Sequence, residues 1–187
     1  MSPSELLYSM PHLFYLNLRH NLFTGTVPYQ WWQAANVNLL DLGDNQSFGR
    51  IPAMVGNLVD VKSIFMDHSQ LTGSLPTEIG KLNSVDFFDV HGNSLTGFVP
   101  SSIANWTLIE SLWLHFNKLS GPIPSVIGQL KLLIDVQLGS NELSGTLPEE
   151  VFGLYNFQVL DVSQNRLSGT LSSSVRNLSP LHFISLF

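Results

Sequence analysis

The stretch from Asn117 to Leu130 reads NKLSGPIPSVIGQL. Two prolines and a glycine surround one isoleucine, and a Gly-Pro cluster of this kind normally marks a turn. The same arrangement recurs along the chain: a glycine is followed two residues later by Ile, Leu or Val, usually with Pro next. These glycines are spaced 24 residues apart without exception, at Gly25, Gly49, Gly73, Gly97, Gly121, Gly145 and Gly169. The stretch is therefore one copy of an internal repeat and not an isolated loop.

Alignment on the glycines gives the unit L-x-x-L-x-L-x-x-N-x-L-x-G-x-[ILV]-P-x-x-[IV]-x-x-[LW]-x-x. Its alternating part, as in LIDVQL at Leu133 to Leu138, is typical of a short strand with one buried face. The Asn turns the chain out of the strand, and its amide can bond backbone groups of neighbouring turns; Ser69 takes its place in the third unit. Glycine permits a backbone shape closed to other residues, and proline fixes the next bend. The closing I-G-x-L segment is expected to form a short helical turn on the opposite wall.

A single unit of this kind cannot bury its own apolar face, whereas stacked units bury a continuous core. The sequence therefore predicts an α/β solenoid: a right-handed leucine-rich repeat superhelix of 24-residue repeats with a concave parallel β-sheet. We expect residues 1–187 to form one leucine-rich repeat domain, with about seven full repeats and partial repeats at both ends.

The repeat resembles the plant-type leucine-rich repeat, LxxLxxLxLxxNxLSGxIPxxIGxLxx. The segments NKLSGPIPSVIGQL, HSQLTGSLPTEIGKL and NELSGTLPEEVFGL match it, and the resemblance runs from about Leu6 to Phe187. Family members are mostly ectodomains of receptor-like kinases, receptor-like proteins and secreted inhibitors of polygalacturonases. The resemblance thus implies an extracellular binding module. Family caps usually carry paired cysteines, which this chain lacks, and it closes on the strand-like LHFISLF, so we expect a fragment without caps.

Composition limits the function classes. The net charge is −6 and the eight Lys and Arg residues are scattered, which argues against nucleic-acid binding. The chain has no cysteine, so thiol chemistry, disulfides and Cys-type zinc sites are excluded. It contains no run of 18 apolar residues, and MSPSELLYSM does not read as a signal peptide. Any membrane association is expected to come only through segments missing from this chain.

Side chains between the strand leucines point to the concave surface. Units three to five place aromatic and polar side chains next to each other there, and strands about 4.8 Å apart would join them into one patch. Exposed aromatic residues with polar neighbours are typical anchors of a protein or peptide interface. The alternative is that some of them only shield strand edges. The predicted ligand-binding residues are Phe65, Asp67, His68, Phe87, Asp89, His91, Trp113, His115 and Phe116.

Other chemistry at these outward positions is less favoured. Asp67, His91 and His115 occupy the same position in three successive units and could ligate zinc or copper. However, side chains that step about 5 Å from strand to strand along a flat sheet do not converge on one ion. A pH-sensitive contact suits these groups better. Asp41 and Asp89 stand two strands apart, roughly 10 Å, and the chain has neither a phosphate loop nor a nucleophile elbow. The sequence therefore predicts no enzyme, no cofactor and no metal.

Three N-x-[ST] sequons begin at Asn45, Asn105 and Asn177. Asn45 belongs to the Asn turn and is expected to be buried, so it is discounted. Asn105 and Asn177 are 72 residues apart, three repeats, and we expect both to carry glycans at equivalent convex positions. Trp31 and Trp32 replace the I-G or V-G of other units and are interpreted as wider packing of the first convex segment.

The predicted function is protein or peptide binding, as part of a cell-surface receptor-like kinase or receptor-like protein in signalling or defence. A co-receptor or a cell-wall glycan is a further candidate partner, and any kinase activity would lie in a domain absent from this chain. The alternatives are a secreted enzyme-inhibitor-type repeat protein and an intracellular repeat scaffold. The location is the extracellular face of the plasma membrane, or secreted, if the full-length protein carries a signal peptide.

Overall fold

The computed structural model describes residues 12–33, 36–178 and 180–186. One short strand per repeat enters an eight-stranded parallel sheet in sequential order. Each strand pairs with the next in the same register, so that Leu40 lies between Leu16 and Ile64. The strands are β1 Tyr15–Asn17, β3 Leu39–Asp41, β5 Ser63–Phe65, β7 Phe87–Asp89, β9 Ser111–Trp113, β11 Asp135–Gln137, β13 Val159–Asp161 and β15 Phe183–Ser185.

A second parallel sheet, of seven strands, runs along the Asn-to-glycine part of the repeats. The sequence analysis treated this part as a turn, because it lacks the apolar alternation of a strand. Backbone pairing with the neighbouring repeat extends it all the same, as where Leu71 lies opposite Gly49 and Gly73 lies opposite Leu95. The strands are β2 Thr24–Thr26, β4 Gln46–Arg50, β6 Gln70–Ser74, β8 Ser94–Gly97, β10 Lys118–Pro122, β12 Glu142–Gly145 and β14 Arg166–Leu167.

The convex wall consists of one five-residue 3-10 helix per repeat. In most repeats the proline of the G-x-[ILV]-P element immediately precedes the helix in an extended conformation, as Pro124 does with φ −69°. The short helical turn predicted for the I-G-x-L segment is therefore confirmed, in 3-10 form. These helices are η1 Tyr29–Gln33, η2 Ala53–Asn57, η3 Thr77–Lys81, η4 Ser101–Asn105, η5 Ser125–Gln129, η6 Glu149–Gly153 and η7 Ser173–Asn177. Within the described ranges, none of the helices has the length and apolar character needed to cross a bilayer.

The core lies between the two walls and is continuous from repeat to repeat. The central residues of the inner strands from β1 to β13 and apolar residues of the convex segments fill it, with Phe88, Ile79 and Leu82 fully buried. Trp31 is 8% exposed and Trp32 1%, so their interpretation as packing of the first convex segment is confirmed.

The asparagine of each unit ties successive turns together. Asn117 accepts a hydrogen bond from the backbone N–H of Leu95 at 2.9 Å, and its amide donates to the carbonyls of Val90 and Leu114 at 3.0 and 3.1 Å. Asn45, Asn93, Asn141 and Asn165 repeat the arrangement. The predicted solenoid is thereby confirmed. The start of the resemblance at Leu6 and its end at Phe187 lie outside the described residues.

Candidate functional site

A ladder of three aromatic rings crosses the outward face of the eight-stranded sheet. The ring centroids of Phe65 and Phe87 are 5.0 Å apart, and those of Phe87 and Trp113 are also 5.0 Å apart. Phe87 is in register with Ser63 and Ser111, whose small side chains leave room for its ring to reach the larger rings diagonally on either side. We call Phe65, Phe87 and Trp113 the aromatic ladder. The structure thus brings together three of the residues that the sequence predicted to lie side by side.

Trp113 is fixed by the strand that follows it. Its indole N–H donates to Asp135 Oδ2 at 2.9 Å, and the Gln137 amide donates to the same oxygen at 3.3 Å. Burial raises the pKa of Asp135, although these two hydrogen bonds oppose the shift. The sequence analysis did not include Asp135 in the site, because nothing in its column position indicates that it orients the indole.

A second row of rings follows the strand ends. The imidazoles of His91 and His115 stack at 4.3 Å with planes 7° apart, and His68 meets His91 edge-on at 4.5 Å and 89°. Phe116 lies 5.3 Å from His115 and is 60% exposed. His68 and Phe116 reach the surface because both have positive φ, 46° and 53°, which turns the chain outward. This row therefore adjoins the aromatic ladder through His91 and Trp113, 6.2 Å apart.

Two of the predicted residues, Asp67 and Asp89, are buried rather than part of the accessible surface, with 3% and 2% exposure. Both accept hydrogen bonds from groups of the fold itself, Asp67 from Arg19 and Asp89 from the His91 backbone. Asp89 Oδ1 accepts from the backbone N–H of His91 at 3.0 Å and lies 2.7 Å from its Nδ1. Since alternation alone would point Asp89 outward, its burial results from the larger rings and imidazoles on the neighbouring strands that cover it. The rings, and not the two carboxylates, are therefore the more accessible groups on this face.

Arg19 also belongs to this surface, although the sequence pattern did not single it out. Its guanidinium donates to both oxygens of Asp67, to Asp44 Oδ2 at 2.7 Å and, through Nε, to Asp41 Oδ2 at 2.9 Å. It also lies over the Phe65 ring at 5.7 Å. The sequence offered one signal. Each unit has two outward positions in its inner strand and two positions directly after that strand, and Arg19 is the only Lys or Arg at any of them. Reading each unit separately hides a contact that spans 48 residues.

These contacts move several pKa values. Burial raises the pKa of Asp67, but the hydrogen bonds and charge of Arg19 outweigh it and lower that pKa overall. Burial likewise lowers the pKa of His91, but its bond to Asp89 raises it overall. His115 has no such partner: its Nδ1 is buried without a hydrogen bond, and burial together with the neighbouring His91 lowers its pKa to about 4. The stacked imidazoles therefore carry their charge at different pH values.

Three of these residues approach each other as metal ligands would. One donor atom each from Asp67, His68 and His91 lies within 4.8 Å of the other two. The sequence analysis considered Asp67 and His91 with His115 instead. The structure replaces His115 by His68, because the positive φ of His68 brings its ring across the turn to His91.

The two retained sequon asparagines occupy equivalent positions. Asn105 ends η4 and Asn177 ends η7, and both are exposed on the convex wall, away from the aromatic ladder. Asn45 is 8% exposed and its amide nitrogen donates to three backbone carbonyls, so the prediction that it is buried is confirmed.

Comparison with known proteins identifies the repeats in two segments of the chain. The family model described as Leucine Rich Repeat matches residues 108–130 and 156–178. No curated protein matches the chain significantly in sequence. The structural matches are extensive, with 317 similar chains.

Three solved structures illustrate the likeness. The ectodomain of the plant membrane receptor kinase GASSHO1/SCHENGEN3 from Arabidopsis thaliana, in complex with CASPARIAN STRIP INTEGRITY FACTOR 2, is 32% identical with a TM-score of 0.91 over 93% of this chain and 21% of that one. A TDR receptor is 28% identical with a TM-score of 0.96 over 100% of this chain and 32% of that one. The Arabidopsis receptor kinase HAESA, with the peptide hormone IDA and the co-receptor SERK1, is 29% identical with a TM-score of 0.92 over 100% and 31%.

The chain spans 21% to 32% of the length of these three proteins. Within that span the folds agree, as the TM-scores of 0.91, 0.96 and 0.92 show. The matched segments are leucine-rich repeats, and the chain is similar in fold to the leucine-rich repeat ectodomains of plant receptor kinases.

Proposed function

We propose that this chain is a peptide-binding segment of the ectodomain of a cell-surface receptor, either a receptor-like kinase or a receptor-like protein acting in signalling or defence. The aromatic ladder carries the proposal, since Phe65, Phe87 and Trp113 form one unbroken row on the outward face. Support also comes from GASSHO1/SCHENGEN3 and HAESA, whose ectodomains are complexed with a protein factor and a peptide hormone. Residues 1–187 would then be one leucine-rich repeat domain of a larger protein.

The ladder suits an extended peptide. Aromatic side chains bring large apolar area at low cost in conformational entropy, which is why they dominate binding energy at interfaces. Trp113 is held by Asp135 before any ligand arrives, so little ordering remains to be done on binding. Phe116 and His68, both exposed at the strand ends, would border the peptide on one side. The ladder residues are the proposed anchors, and His68, His91, His115 and Phe116 are the proposed polar and apolar rim.

Binding, and not catalysis, is the proposed activity of this segment. The carboxylates that could serve as acid and base are already engaged in structural hydrogen bonds. Asp41 and Asp67 bind Arg19, and Asp89 binds His91. Any kinase activity would belong to a domain outside this chain. A co-receptor is a second proposed partner, because HAESA is found with SERK1. The same likeness to receptor ectodomains supports an extracellular location.

The test is selection of peptides from a random display library on the full chain, followed by calorimetry with one selected synthetic peptide. Trp113→Ala and Phe87→Ala should each weaken binding by more than about tenfold, as loss of a central aromatic anchor does. Tyr155→Ala is the matched control, since Tyr155 is an aromatic residue that is 80% exposed between η6 and β13. Circular dichroism of each variant confirms that the repeats remain folded.

The outcomes distinguish binding at the aromatic ladder from non-specific binding of the peptide elsewhere. Loss of affinity in the ladder variants with wild-type affinity in Tyr155→Ala supports the assignment. Equal affinity of all three variants overturns it, because the peptide would then bind elsewhere on the solenoid.

A further inference from the structure

The cluster of Asp67, His68 and His91 is not required by the aromatic ladder, and it brings three potential metal ligands close together. We propose that these three residues bind a divalent transition-metal ion of the zinc class at the turn after β5 and β7. Zinc in proteins takes nitrogen and oxygen ligands at about 2.0–2.2 Å, so neighbouring ligand atoms stand roughly 3.3–3.5 Å apart. Asp67 Oδ2 and His68 Nδ1 are already 3.4 Å apart, and all three donor atoms lie within 4.8 Å of one another.

Ring orientation favours His68 over His115 as the partner of His91. The lone pair of an imidazole nitrogen lies in the ring plane. The planes of His91 and His115 are 7° from parallel at 4.3 Å, so their lone pairs do not meet at one point. The planes of His68 and His91 are 89° apart at 4.5 Å, so theirs can converge. His68 is also exposed, and its side chain is free to close the remaining distance.

Protein groups already hold two of the three proposed ligands. His91 Nδ1 lies 2.7 Å from Asp89 Oδ1, and since an ionised carboxylate can only accept, the neutral ring carries its proton on Nδ1 and its lone pair on Nε2. A carboxylate bound to the far nitrogen of a ligating histidine is the usual support of a metal site. Asp67 is likewise held, because Arg19 donates to both its oxygens. A carboxylate has about four acceptor positions, so Oδ2 can bind an ion while Arg19 stays in place.

Local charge also favours a cation. Asp41, Asp44 and Asp67 all contact Arg19, and Asp89 contacts His91. Three carboxylates thus surround the Arg19 guanidinium and a fourth lies at His91, so neutral histidines leave negative charge in excess. Two imidazole ligands select zinc-class ions over Mg²⁺ and Ca²⁺, which prefer oxygen alone. With three protein ligands, one coordination position remains for water or for a ligand group.

The experiment uses Zn²⁺ alone as probe, titrated by calorimetry into the full 187-residue chain without an affinity tag. Co²⁺ substitution gives an independent readout, because its visible absorption reports four-coordinate binding to nitrogen and oxygen. We expect one ion per chain, a rise in the unfolding temperature with Zn²⁺, and no such effect of Mg²⁺. Two variants remove a ligand each. His68→Gln keeps the positive φ that Gln164 adopts at the equivalent position, and His91→Ser reproduces the Asp161–Ser163 pair of a later repeat.

Each ligand variant should weaken Zn²⁺ binding by more than about tenfold. His20→Gln is the control, because His20 occupies the position of His68 two repeats earlier, also beside a carboxylate. This control should bind Zn²⁺ as the wild type does. Unchanged Zn²⁺ affinity in His68→Gln and His91→Ser, or equal binding of Mg²⁺, overturns the proposal. Because no peptide is present, this result is independent of the peptide-binding proposal.

Discussion

The imidazole of His91 lies parallel to that of His115, with ring centroids 4.3 Å apart. The two rings differ in their partners, since His91 bonds Asp89 whereas His115 Nδ1 is buried without a hydrogen bond. Two positive charges at this separation would repel each other, so the stack is stable only while at least one ring is neutral. The pair therefore links the stability of repeats four and five to pH.

The first prediction concerns acid stability. The pKa of His115 is lowered to about 4 in the folded chain, against about 6.5 when unfolded. Between these values the unfolded state binds more protons, so the free energy of unfolding should fall as pH decreases from about 6.5 to about 4. His91, whose folded pKa is raised, acts oppositely: its contribution is full below about 6.5 and is lost as pH rises through its folded pKa. Denaturant unfolding at several pH values measures the sum of the two histidine contributions to the free energy of unfolding.

A variant isolates the His115 contribution. His115→Gln should reduce the loss of stability between pH 6.5 and 4 by on the order of 2 kcal/mol relative to wild type. Proton NMR of the imidazole resonances gives the site assignment directly, with His115 titrating below His91. Titration of His115 near 6.5 would contradict the prediction.

The second prediction concerns Arg19, whose guanidinium is the partner of the buried Asp67. Arg19→Gln leaves that carboxylate without a counter-ion, and we expect a loss of about 2–4 kcal/mol in the free energy of unfolding. Arg166→Gln is the control, because the Arg166–Glu142 pair is solvent-exposed and its removal should cost less than about 1 kcal/mol. Urea unfolding compares the two. Similar small losses in both variants would show that Arg19 is not a structural counter-ion.

The third prediction concerns the asparagine ladder. Asn117→Ala removes the acceptor of the Leu95 N–H and the donor to the Val90 and Leu114 carbonyls, all in buried surroundings. The expected loss is about 2–3 kcal/mol, the cost of leaving buried polar groups unpaired. Asn156→Ala changes an exposed asparagine bonded only to the Lys131 carbonyl, so it should stay within about 0.5 kcal/mol of wild type. Hydrogen exchange at the Leu95 amide shows where the variant is destabilised. Slow exchange there in Asn117→Ala would count against a stabilising role of the repeated asparagines.

The fourth prediction concerns glycosylation. Secretion of the chain behind an added signal peptide should attach glycans at Asn105 and Asn177, which are exposed on the convex wall, and none at Asn45, which is 8% exposed. Mass spectrometry of peptides after glycosidase treatment identifies the modified sites. Asn105→Gln and Asn177→Gln should each remove one glycan. A glycan at Asn45, or none at the other two, would be the opposite outcome.

The 24-residue repeat was sufficient to predict the solenoid, the inner strands and the helical turns of the convex wall. It was sufficient because every unit places the same residue types at the same positions, and each local geometry is repeated seven times. The Asn ladder and the burial of Trp31 and Trp32 were predictable for the same reason. The second sheet was not, because backbone pairing forms it and its residues carry no apolar alternation.

The candidate site, like the fold, was predictable from the sequence only in part. The sequence by itself determined which side chains leave the inner strands on the outward side, and hence that Phe65, Phe87 and Trp113 would be neighbours. Only the tertiary structure decided that neighbouring side chains bury Asp67 and Asp89, that Arg19 reaches Asp67 across two repeats, and that His68 rather than His115 joins the cluster. Those outcomes depend on side-chain lengths and ring orientations in adjacent turns. A repeat fixes the position of each residue along its turn, whereas packing between turns fixes where its side chain goes.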